Sequence, residues 1–304
     1  MAPCVGGRNI MGAPPTWFLR KMMNKKPEIL IVTPTLNQSR YLKACITSVL
    51  SQDYENKKYI ILDGGSTDGS VDIIKQYSGR LEYYDSRKGE SQSEAIARGF
   101  ASGKGEILCW LNSDDIFLPN ALACVGNYFS RHPSADVLVG ASIIIDSEGK
   151  AVRNEKREAV FNPGTNQSFM DLLYDGCSGF NQPATFWRRT VYERVGGIDT
   201  TLNFSMDYDL YLKMAKHKKF SRIAAFLACF RIHKETKTTR LNDVREKEDK
   251  IIAQRYGKLS VLPTWLKTYL LFCRWKRRFL FWRMRFLLET GILNMPTGFG
   301  RFVE

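Results

Sequence analysis

Residues 105–115 read Gly105-Glu-Ile-Leu-Cys-Trp-Leu-Asn-Ser-Asp-Asp115, and this stretch decides the fold. The apolar run that ends at Leu111 is short and uninterrupted, which is typical of a strand buried on both faces of a sheet. Four polar residues, Asn112 to Asp115, follow it directly. The stretch therefore predicts a buried strand with a loop of oxygen-bearing side chains at its carboxyl end.

The segments before this stretch repeat the same alternation of strand and helix. Strands are predicted over 28–33 and 58–62, and helices over 40–52, 70–77 and 91–102. Short connections between alternating strands and helices indicate a parallel sheet covered by helices, an α/β fold. Ligands bind such sheets at the carboxyl ends of the strands, where Thr33-Pro34-Thr35, Asp63 and the 112–115 loop all lie.

Asp63 begins a turn of sequence Asp63-Gly-Gly-Ser-Thr-Asp-Gly69, which allows two interpretations. Asp63 could accept a hydrogen bond from a nucleobase N–H while the glycines let a ligand approach the backbone. The other interpretation is a plain turn in which Asp68 caps the next helix, and the turn taken alone favours this one.

The loop Asn112-Ser-Asp-Asp115 also allows two interpretations. Hard oxygen ligands in one loop suit Mg²⁺ or Mn²⁺, which keep positions open for phosphate oxygens. An acidic turn that stabilises the N-terminus of the following helix would have the same sequence. The position of the loop at a strand end favours the metal site.

Acidic and histidine side chains of the second half add candidates for catalysis. Asp207 and Asp209 lie at the start of a helix predicted over 206–216, and one of them could serve as a general base. For Asp209 we favour a role in capping the helix. His233, one of 3 histidines, could bind a metal, although a single histidine is more often structural.

Three nucleotide and hydrolase signatures are missing from the sequence. The first strand is not followed by G-x-G-x-x-G, which disfavours a dinucleotide-binding dehydrogenase. There is no G-x-x-x-x-G-K-[ST], which disfavours a P-loop NTPase, and no G-x-S-x-G, which disfavours an α/β-hydrolase.

Seven segments in one order resemble the family 2 glycosyltransferases, which are inverting enzymes of the GT-A fold. They are Ile31-Val-Thr-Pro-Thr-Leu-Asn-Gln38, Ile61-Leu-Asp-Gly-Gly-Ser-Thr-Asp-Gly-Ser70, the 105–115 stretch, Asn181-Gln-Pro-Ala-Thr-Phe-Trp-Arg-Arg189, Val195-Gly-Gly-Ile-Asp199, Met206-Asp-Tyr-Asp-Leu-Tyr-Leu212 and Phe230-Arg-Ile-His233. The resemblance covers about residues 28–233. It implies a mostly parallel sheet with flanking helices, in which a Rossmann-like nucleotide-binding half is joined to an acceptor half.

The resemblance also implies a role for each matching residue. Asp207 would be the catalytic base, and Asp114, Asp115 and His233 would hold Mn²⁺ or Mg²⁺ beside the donor diphosphate. The nucleotide-sugar donor, which we expect to be a UDP-sugar, would contact Thr33, Pro34, Thr35, Asp63, Gln92, Asn112, Ser113 and Gln182. The acceptor would be a hydroxyl of a glycan or of a lipid-linked sugar.

The chain departs from the usual family pattern at three places. Asp63-Gly64 stands where Asp-Asp is common, and Asn112 begins the segment that is usually D-x-D. Met206-Asp207 stands where Glu-Asp is common, which supports Asp207 over Asp209 as the base.

The positive charge is concentrated at the C-terminal end. The net charge is +14, but residues 213–304 alone hold 22 Lys and Arg against 7 Asp and Glu. Residues 265–288 contain seven Lys and Arg, eight aromatic residues and no acid, with Lys267, Arg274, Arg278 and Arg285 on one helical stripe. This pattern indicates a helix that lies in the plane of an anionic membrane surface, although a helix packed on the catalytic domain is the alternative.

These observations predict three regions and a compartment. Residues 1–26 are expected to be a disordered leader, 27–240 the GT-A domain, and 241–304 a basic, aromatic-rich helical extension. Seven scattered cysteines without a C-x-x-C pair argue against a disulfide framework. We expect a cytoplasmic protein associated peripherally with the inner face of the cell membrane.

Two other functions remain open on the sequence alone. A nucleotidyltransferase would also need an acidic metal loop, but it would generally carry a Gly-rich basic loop after the first strand. A nucleic-acid-binding protein would use the basic C-terminal third, and we regard nucleic acid as the less expected partner.

Overall fold

Nine strands form one sheet in the computed structural model, which describes residues 26–155, 157–237, 241–259 and 261–290. Four of them make a parallel half with spatial order β3-β2-β1-β4. Their bounds are Ile29–Thr35 (β1), Lys57–Asp63 (β2), Tyr83–Ser86 (β3) and Ile107–Trp110 (β4). The leader expected over 1–26 lies outside the described residues except for Lys26.

The rest of the sheet mixes parallel and antiparallel pairs. Its order is β8-β6-β9-β5 beyond β4, with β7 paired to β6. The strands are Ile116–Phe117 (β5), Val137–Ile145 (β6), Phe161–Asn162 (β7), Thr185–Arg188 (β8) and Phe220–Arg231 (β9). The long β6–β9 pair is parallel, and its register shifts next to Gly140.

Helices cover both faces of the sheet. They are Ser39–Leu50 (α1), Ser70–Gln76 (α2), Gln92–Ser102 (α3), Ala121–Arg131 (α4), Phe169–Asp175 (α5), Arg189–Arg194 (α6), Met206–His217 (α7), Asn242–Arg255 (α8) and Thr264–Glu289 (α9). Ile29 and Ile31 pack in one core with α1, while Leu30 and Val32 pack in the other with α3. Burial on both faces explains why β1 is apolar throughout.

The first strand continues two residues beyond its predicted end. Pro34 and Thr35 remain paired with β2, up to the partners Thr35 and Asp63. On the other side, the pairing with β4 already ends at Val32 and Trp110. A proline is tolerated here because it lies where one neighbouring strand has stopped.

The start of α1 is held by a side chain from the 63–69 turn. Ser39 is the first residue of the helix, and its N–H donates to the Asp68 carboxylate at 2.8 Å. Asp68 also accepts from the Ser70 N–H at 3.0 Å, so one side chain ties the 63–69 turn to α1 and α2. The turn is therefore held in place from both sides.

Helix α8 is anchored to the loop that precedes α7. Glu248 is buried and accepts three backbone N–H bonds, from Asn203, Phe204 and Ser205, at 2.7 to 2.9 Å. Ser205 also donates to Asp249 at 2.7 Å. The expected boundary at residue 240 falls before α8, yet α8 holds the backbone just before Asp207.

Helix α9 packs lengthwise on the domain. Leu266, Leu270 and Met284 are buried, and the Phe281 ring stacks on Phe161 of β7 at 4.9 Å between centroids. Over the residues described, no helix is both long enough and apolar enough to span a bilayer.

The basic stripe expected on α9 is only partly free. Arg274 pairs with Asp175 at 2.7 Å, and Arg285 forms ion pairs with Glu158 and Glu289. Lys267 and Arg278 remain exposed. The sequence pattern could not separate these two groups, because it did not show which side of the helix packs on the domain.

Candidate functional site

A cavity of about 700 Å³ opens where the carboxyl ends of β1 and β4 meet the start of α7. Pro34 and Thr35 line it from β1, and Asn112, Ser113 and Asp114 line it from the loop after β4. Its other walls come from the start of α3, the 177–182 loop, the start of α7 and the end of β9. A cavity of this size at this edge of an α/β sheet is a common ligand site.

Three expected donor-binding residues form a chain of amide hydrogen bonds along the cavity wall. The Gln92 amide donates to Asn112 at 2.8 Å, Asn112 donates to Gln182 at 3.3 Å, and Gln182 donates to the Trp110 carbonyl at 2.8 Å. The chain fixes Asn112, the residue that replaces the first aspartate of the usual D-x-D. A side chain fixed in this way presents its polar atoms in a defined direction.

Two polar atoms in the cavity wall are left without a protein partner. Thr35 Oγ1 and Gln92 Oε1 are buried, and neither has a hydrogen-bond partner among the described residues. Buried polar atoms are usually satisfied, so each exception calls for an explanation. A ligand with hydroxyl or N–H groups could supply the missing bonds only after these side chains turn toward the cavity, because both atoms are buried.

Asp114 and His233 come together although 119 residues separate them. Asp114 Oδ2 lies 3.2 Å from His233 Nε2, and the antiparallel pairing of β5 with β9 brings the two segments side by side. A carboxylate and an imidazole suit Mn²⁺ and many other divalent ions, with diphosphate oxygens as further ligands.

The pair fits a metal ion after one local change. The Glu235 N–H points at His233 Nδ1 at 3.3 Å. This contact must open for the ring to bind metal through Nε2, because the neutral imidazole then carries its proton on Nδ1. Within the described ranges, no cluster of three or more His, Cys, Asp and Glu side chains is arranged to hold a metal ion.

Asp115, the other expected metal ligand, points away from the cavity. It is 1% exposed, and its Oδ1 accepts the Arg231 N–H at 2.8 Å. Burial, followed by the charge of Asp114, raises the pKa of Asp115 well above its ordinary range. Asp115 thus connects β5 to β9, and its place as a metal ligand would require the loop to move.

Asp207 lies in the first turn of α7 and lines the cavity. Burial raises the pKa of its carboxyl to about 6; the nearby Asp249 adds to this rise, while the Tyr208 N–H and Lys237 oppose it. A carboxylate with a raised pKa is a stronger base, as a proton acceptor near neutral pH requires.

Asp209 occupies a different environment one half-turn away. It is fully buried, with Arg255 at 2.7 Å and Lys213 at 2.8 Å from its two oxygens. The Arg255 pair ties α7 to α8, and the Lys213 pair lies within α7. The capping role expected for Asp209 is not seen: α7 has no side-chain cap bond, and the Asp209 carboxylate forms these ion pairs instead.

Two residues expected at the nucleoside lie behind the cavity wall. Thr33 is fully buried, and its hydroxyl accepts from Tyr59 at 3.0 Å. The Asp63 carboxylate takes donors from Gly65, from Ser66 through both its N–H and its hydroxyl, and from Ser86. Four donors fill the roughly four acceptor positions of a carboxylate, so a base N–H could bind Asp63 only by displacing one of them.

Three cationic side chains in the cavity wall are not among the residues named from the sequence. They are Arg231, Lys237 and Arg245. Arg231 is 2% exposed and donates to the Asp114 carbonyl at 2.7 Å, with its guanidinium over the Tyr41 ring. The concentration of Lys and Arg after residue 213 was the only available signal for Lys237 and Arg245, and the expected boundary at 240 assigned Arg245 to the extension.

Comparison with known proteins identifies the family. The model of the family described as "Glycosyl transferase family 2" matches residues 30–196, more than half of the chain. An uncharacterized glycosyltransferase of Rickettsia felis is 27% identical over 227 residues, which cover 72% of this chain and 36% of the relative. The chain thus spans about a third of that relative's length. The match identifies a glycosyltransferase and not a nucleotidyltransferase.

Solved structures share the fold at low sequence identity. S. aureus TarS 1-349 in complex with UDP-GlcNAc has a TM-score of 0.60 at 15% identity, over 80% of this chain and 70% of that one. The mannosyltransferase PcManGT of Pyrobaculum calidifontis, in complex with GDP-Man and Mn²⁺, has a TM-score of 0.56 at 15% identity, over 94% and 90% of the two chains. The expected GT-A fold is confirmed.

Proposed function

Because the chain belongs to glycosyl transferase family 2, we propose that it transfers a sugar from a nucleotide-diphosphate donor to an acceptor hydroxyl with inversion at the anomeric carbon. The single observation that supports this most strongly is the content of one cavity. Asp114 lines it, with His233 3.2 Å behind its carboxylate, and so does Asp207, a separate carboxylate with a raised pKa. Transfer needs these two elements: a place for the diphosphate charge and a base for the acceptor proton.

Asp207 would act on the acceptor. Its carboxylate takes the proton of the attacking hydroxyl as that oxygen forms a bond to the anomeric carbon. The bond from the anomeric carbon to the diphosphate oxygen breaks on the opposite side, and the nucleoside diphosphate leaves. Attack from one face and departure from the other invert the configuration.

Asp114 and His233 would act on the donor by holding Mn²⁺ or Mg²⁺. When bound, the ion neutralises the charge that develops on the leaving diphosphate. The complexes of PcManGT and of GalNAc-T7 contain Mn²⁺, which supports a divalent ion in this chain as well. Lys237 and Arg245 add positive charge to the same cavity.

The sugar-nucleotide would lie along the amide chain. Thr35 Oγ1 and Gln92 Oε1 offer unused acceptor positions, and Pro34, Ser113 and Gln182 complete the wall. The TarS complexes contain UDP and UDP-GlcNAc, which supports a UDP-sugar as the first donor to try.

The acceptor we propose is a hydroxyl of a glycan or of a lipid-linked sugar. A lipid-linked acceptor would bring the enzyme to a membrane surface. Peripheral association with the cytoplasmic face of the cell membrane remains part of the proposal.

The pH dependence of transfer provides one test of Asp207. We expect the rate to rise with pH through about 6 and then level off, because only the ionised carboxylate accepts a proton. Well below that value the rate should fall about tenfold per pH unit. A rate measured with saturating donor that is flat from pH 5 to 8 would contradict the assignment.

Donor binding can be tested without knowledge of the acceptor. Purified protein is heated with each member of a panel of UDP-, GDP- and dTDP-sugars, with Mn²⁺ or with EDTA. A bound donor raises the unfolding temperature, since it binds only the folded state. We expect at least one nucleotide-sugar to stabilise the protein in Mn²⁺ and to lose most of this effect in EDTA. Stabilisation by none of them would oppose the proposal.

A further inference from the structure

Helix α9 exposes a continuous row of aromatic side chains on the side that faces away from the domain. Its members are Trp265, Phe272, Trp275, Phe279, Trp282 and Phe286, each between 55 and 67% exposed. We call this row the aromatic face. Its residues recur at intervals of three, four and seven, which places them on one side of a helix.

The rings of the aromatic face are already ordered against each other. Phe272 stacks on Trp275 at 6.2 Å between centroids, and Trp275 stacks on Phe279 at 6.0 Å. The opposite side of the helix is packed on the domain through Leu270 and Met284. A row of exposed aromatic side chains like this one generally marks a place where the protein contacts another molecule or a membrane.

Exposed basic residues flank the aromatic face on both sides. At about 100° per residue, Lys276 and Arg283 fall along one margin, and Lys267 and Arg278 along the other. All four are exposed, and the one acid of the helix, Glu289, is paired with Arg285. An apolar centre between two cationic margins matches a lipid bilayer with anionic headgroups, because rings enter the acyl boundary while Lys and Arg stay among the phosphates.

The positive charge along both margins argues against a dimer in which two copies of the chain pack through their aromatic faces. A symmetric dimer through this face would place four cations of one copy beside the same four of the other. Within the described part of the helix the one acid is Glu289, which is already paired with Arg285.

From these observations we propose that the aromatic face of α9, with its four basic margin residues, is a docking surface for an anionic membrane. This rests on the peripheral membrane association in the proposed function and deepens it, since it names the side of α9 and the residues that contact the lipid. It also corrects the expected contact, because Arg274 and Arg285 of the predicted stripe are paired with acids of the protein.

Docking through the aromatic face would also set the orientation of the cavity relative to the membrane. Helix α5 is tied to α9 by Asp175, which pairs with Arg274 and Arg277, and by Ser168, which lies 3.1 Å from the Tyr269 hydroxyl. The loop after α5 supplies Cys177, Phe180 and Asn181 to the cavity wall. An acceptor carried on a lipid would therefore meet the cavity from a defined side.

Vesicle co-sedimentation of the full chain tests the proposal and does not depend on sugar transfer. Vesicles of phosphatidylglycerol and phosphatidylcholine are compared with vesicles of phosphatidylcholine alone, at low and high salt. We expect the protein to bind the anionic vesicles, and the double variant Trp275→Ser/Trp282→Ser to bind about tenfold or more weakly. Lys276→Gln/Arg283→Gln should also bind about tenfold more weakly and lose much of the salt dependence.

The matched control is Tyr83→Ser/Tyr84→Ser, which removes two exposed aromatic residues from strand β3 at the far edge of the sheet. It should bind like the unchanged protein, and circular dichroism should show all variants folded. Equal binding of Trp275→Ser/Trp282→Ser and the unchanged protein, or no binding to anionic vesicles, would overturn the proposal. Light scattering could instead show that the unchanged protein is a dimer and that Trp275→Ser/Trp282→Ser is a monomer. That result would overturn the proposal and assign the aromatic face to a second copy of the chain.

Discussion

Asp207→Asn is expected to lower the rate of sugar transfer about 10²- to 10⁴-fold while the affinity for the donor changes little. Asparagine has nearly the same shape but cannot accept the proton of the attacking hydroxyl. The loss should therefore appear in kcat with the donor KM near its original value. Steady-state kinetics at pH 7.5, well above the pKa of about 6, measure the effect with Asp207 ionised.

The neighbouring acid provides the control for this variant. Asp209→Asn should retain most of the rate per folded molecule but lower the unfolding temperature, because Arg255 and Lys213 lose a buried partner. If Asp209→Asn abolished transfer while the fold persisted, and Asp207→Asn did not, the base would be wrongly assigned.

Asp114→Ala is expected to reduce kcat/KM about 10²-fold or more and to remove the Mn²⁺ dependence of donor binding. The variant deletes the carboxylate of the Asp114–His233 pair, which leaves the diphosphate charge uncompensated. Titration calorimetry with a nucleoside diphosphate, in Mn²⁺ and in EDTA, measures the metal-dependent part of binding.

A surface acid gives the matched control for Asp114. Asp72→Ala removes the same charge from an exposed position on α2, paired only with Lys75 at 3.4 Å, and should leave kcat/KM and binding unchanged. Binding of the nucleoside diphosphate by Asp114→Ala that remained as tight and as Mn²⁺-dependent as in the unchanged protein would contradict the metal assignment.

The strands and helices of the first half were predictable because their apolar periodicity is strong. The run before Asn112 predicted β4, and the helix predicted over 91–102 matches α3 to within one residue, with Ser91 as its cap. The predicted end of β1 was two residues too early. Whether Pro34 ends the strand depends on where the pairing with β4 stops. That is a property of the pairing and not of the local sequence.

The sequence predicted which residues belong to the site better than it predicted which way their side chains point. Asp114 and Asp115 are adjacent in the loop before β5, but only Asp114 lines the cavity, while Asp115 is buried against Arg231. Which of the two lines the cavity depends on the pairing of β5 with β9, a contact between residues more than 100 positions apart. The same pairing brings Arg231 to Asp115 and His233 to Asp114.

The basic C-terminal helix shows the same limit of a local pattern. A helical wheel placed Lys267, Arg274, Arg278 and Arg285 on one stripe, but only the packing of Leu270 and Met284 on the domain defines the outward side. Arg274 and Arg285 turn out to be paired with acids. The outward side carries the aromatic face, with Lys267 and Arg278 of the predicted stripe along one of its margins.

The central claim is that one cavity binds a nucleotide-sugar and releases a nucleoside diphosphate from it. The most direct measurement follows that release in Mn²⁺, with the donor that most stabilises the protein and with a membrane lipid extract as the source of acceptor. We expect release by the unchanged protein that increases with the extract and is lost in EDTA, in Asp114→Ala and in Asp207→Asn. No release from any nucleotide-sugar, or undiminished release by both variants, would contradict it.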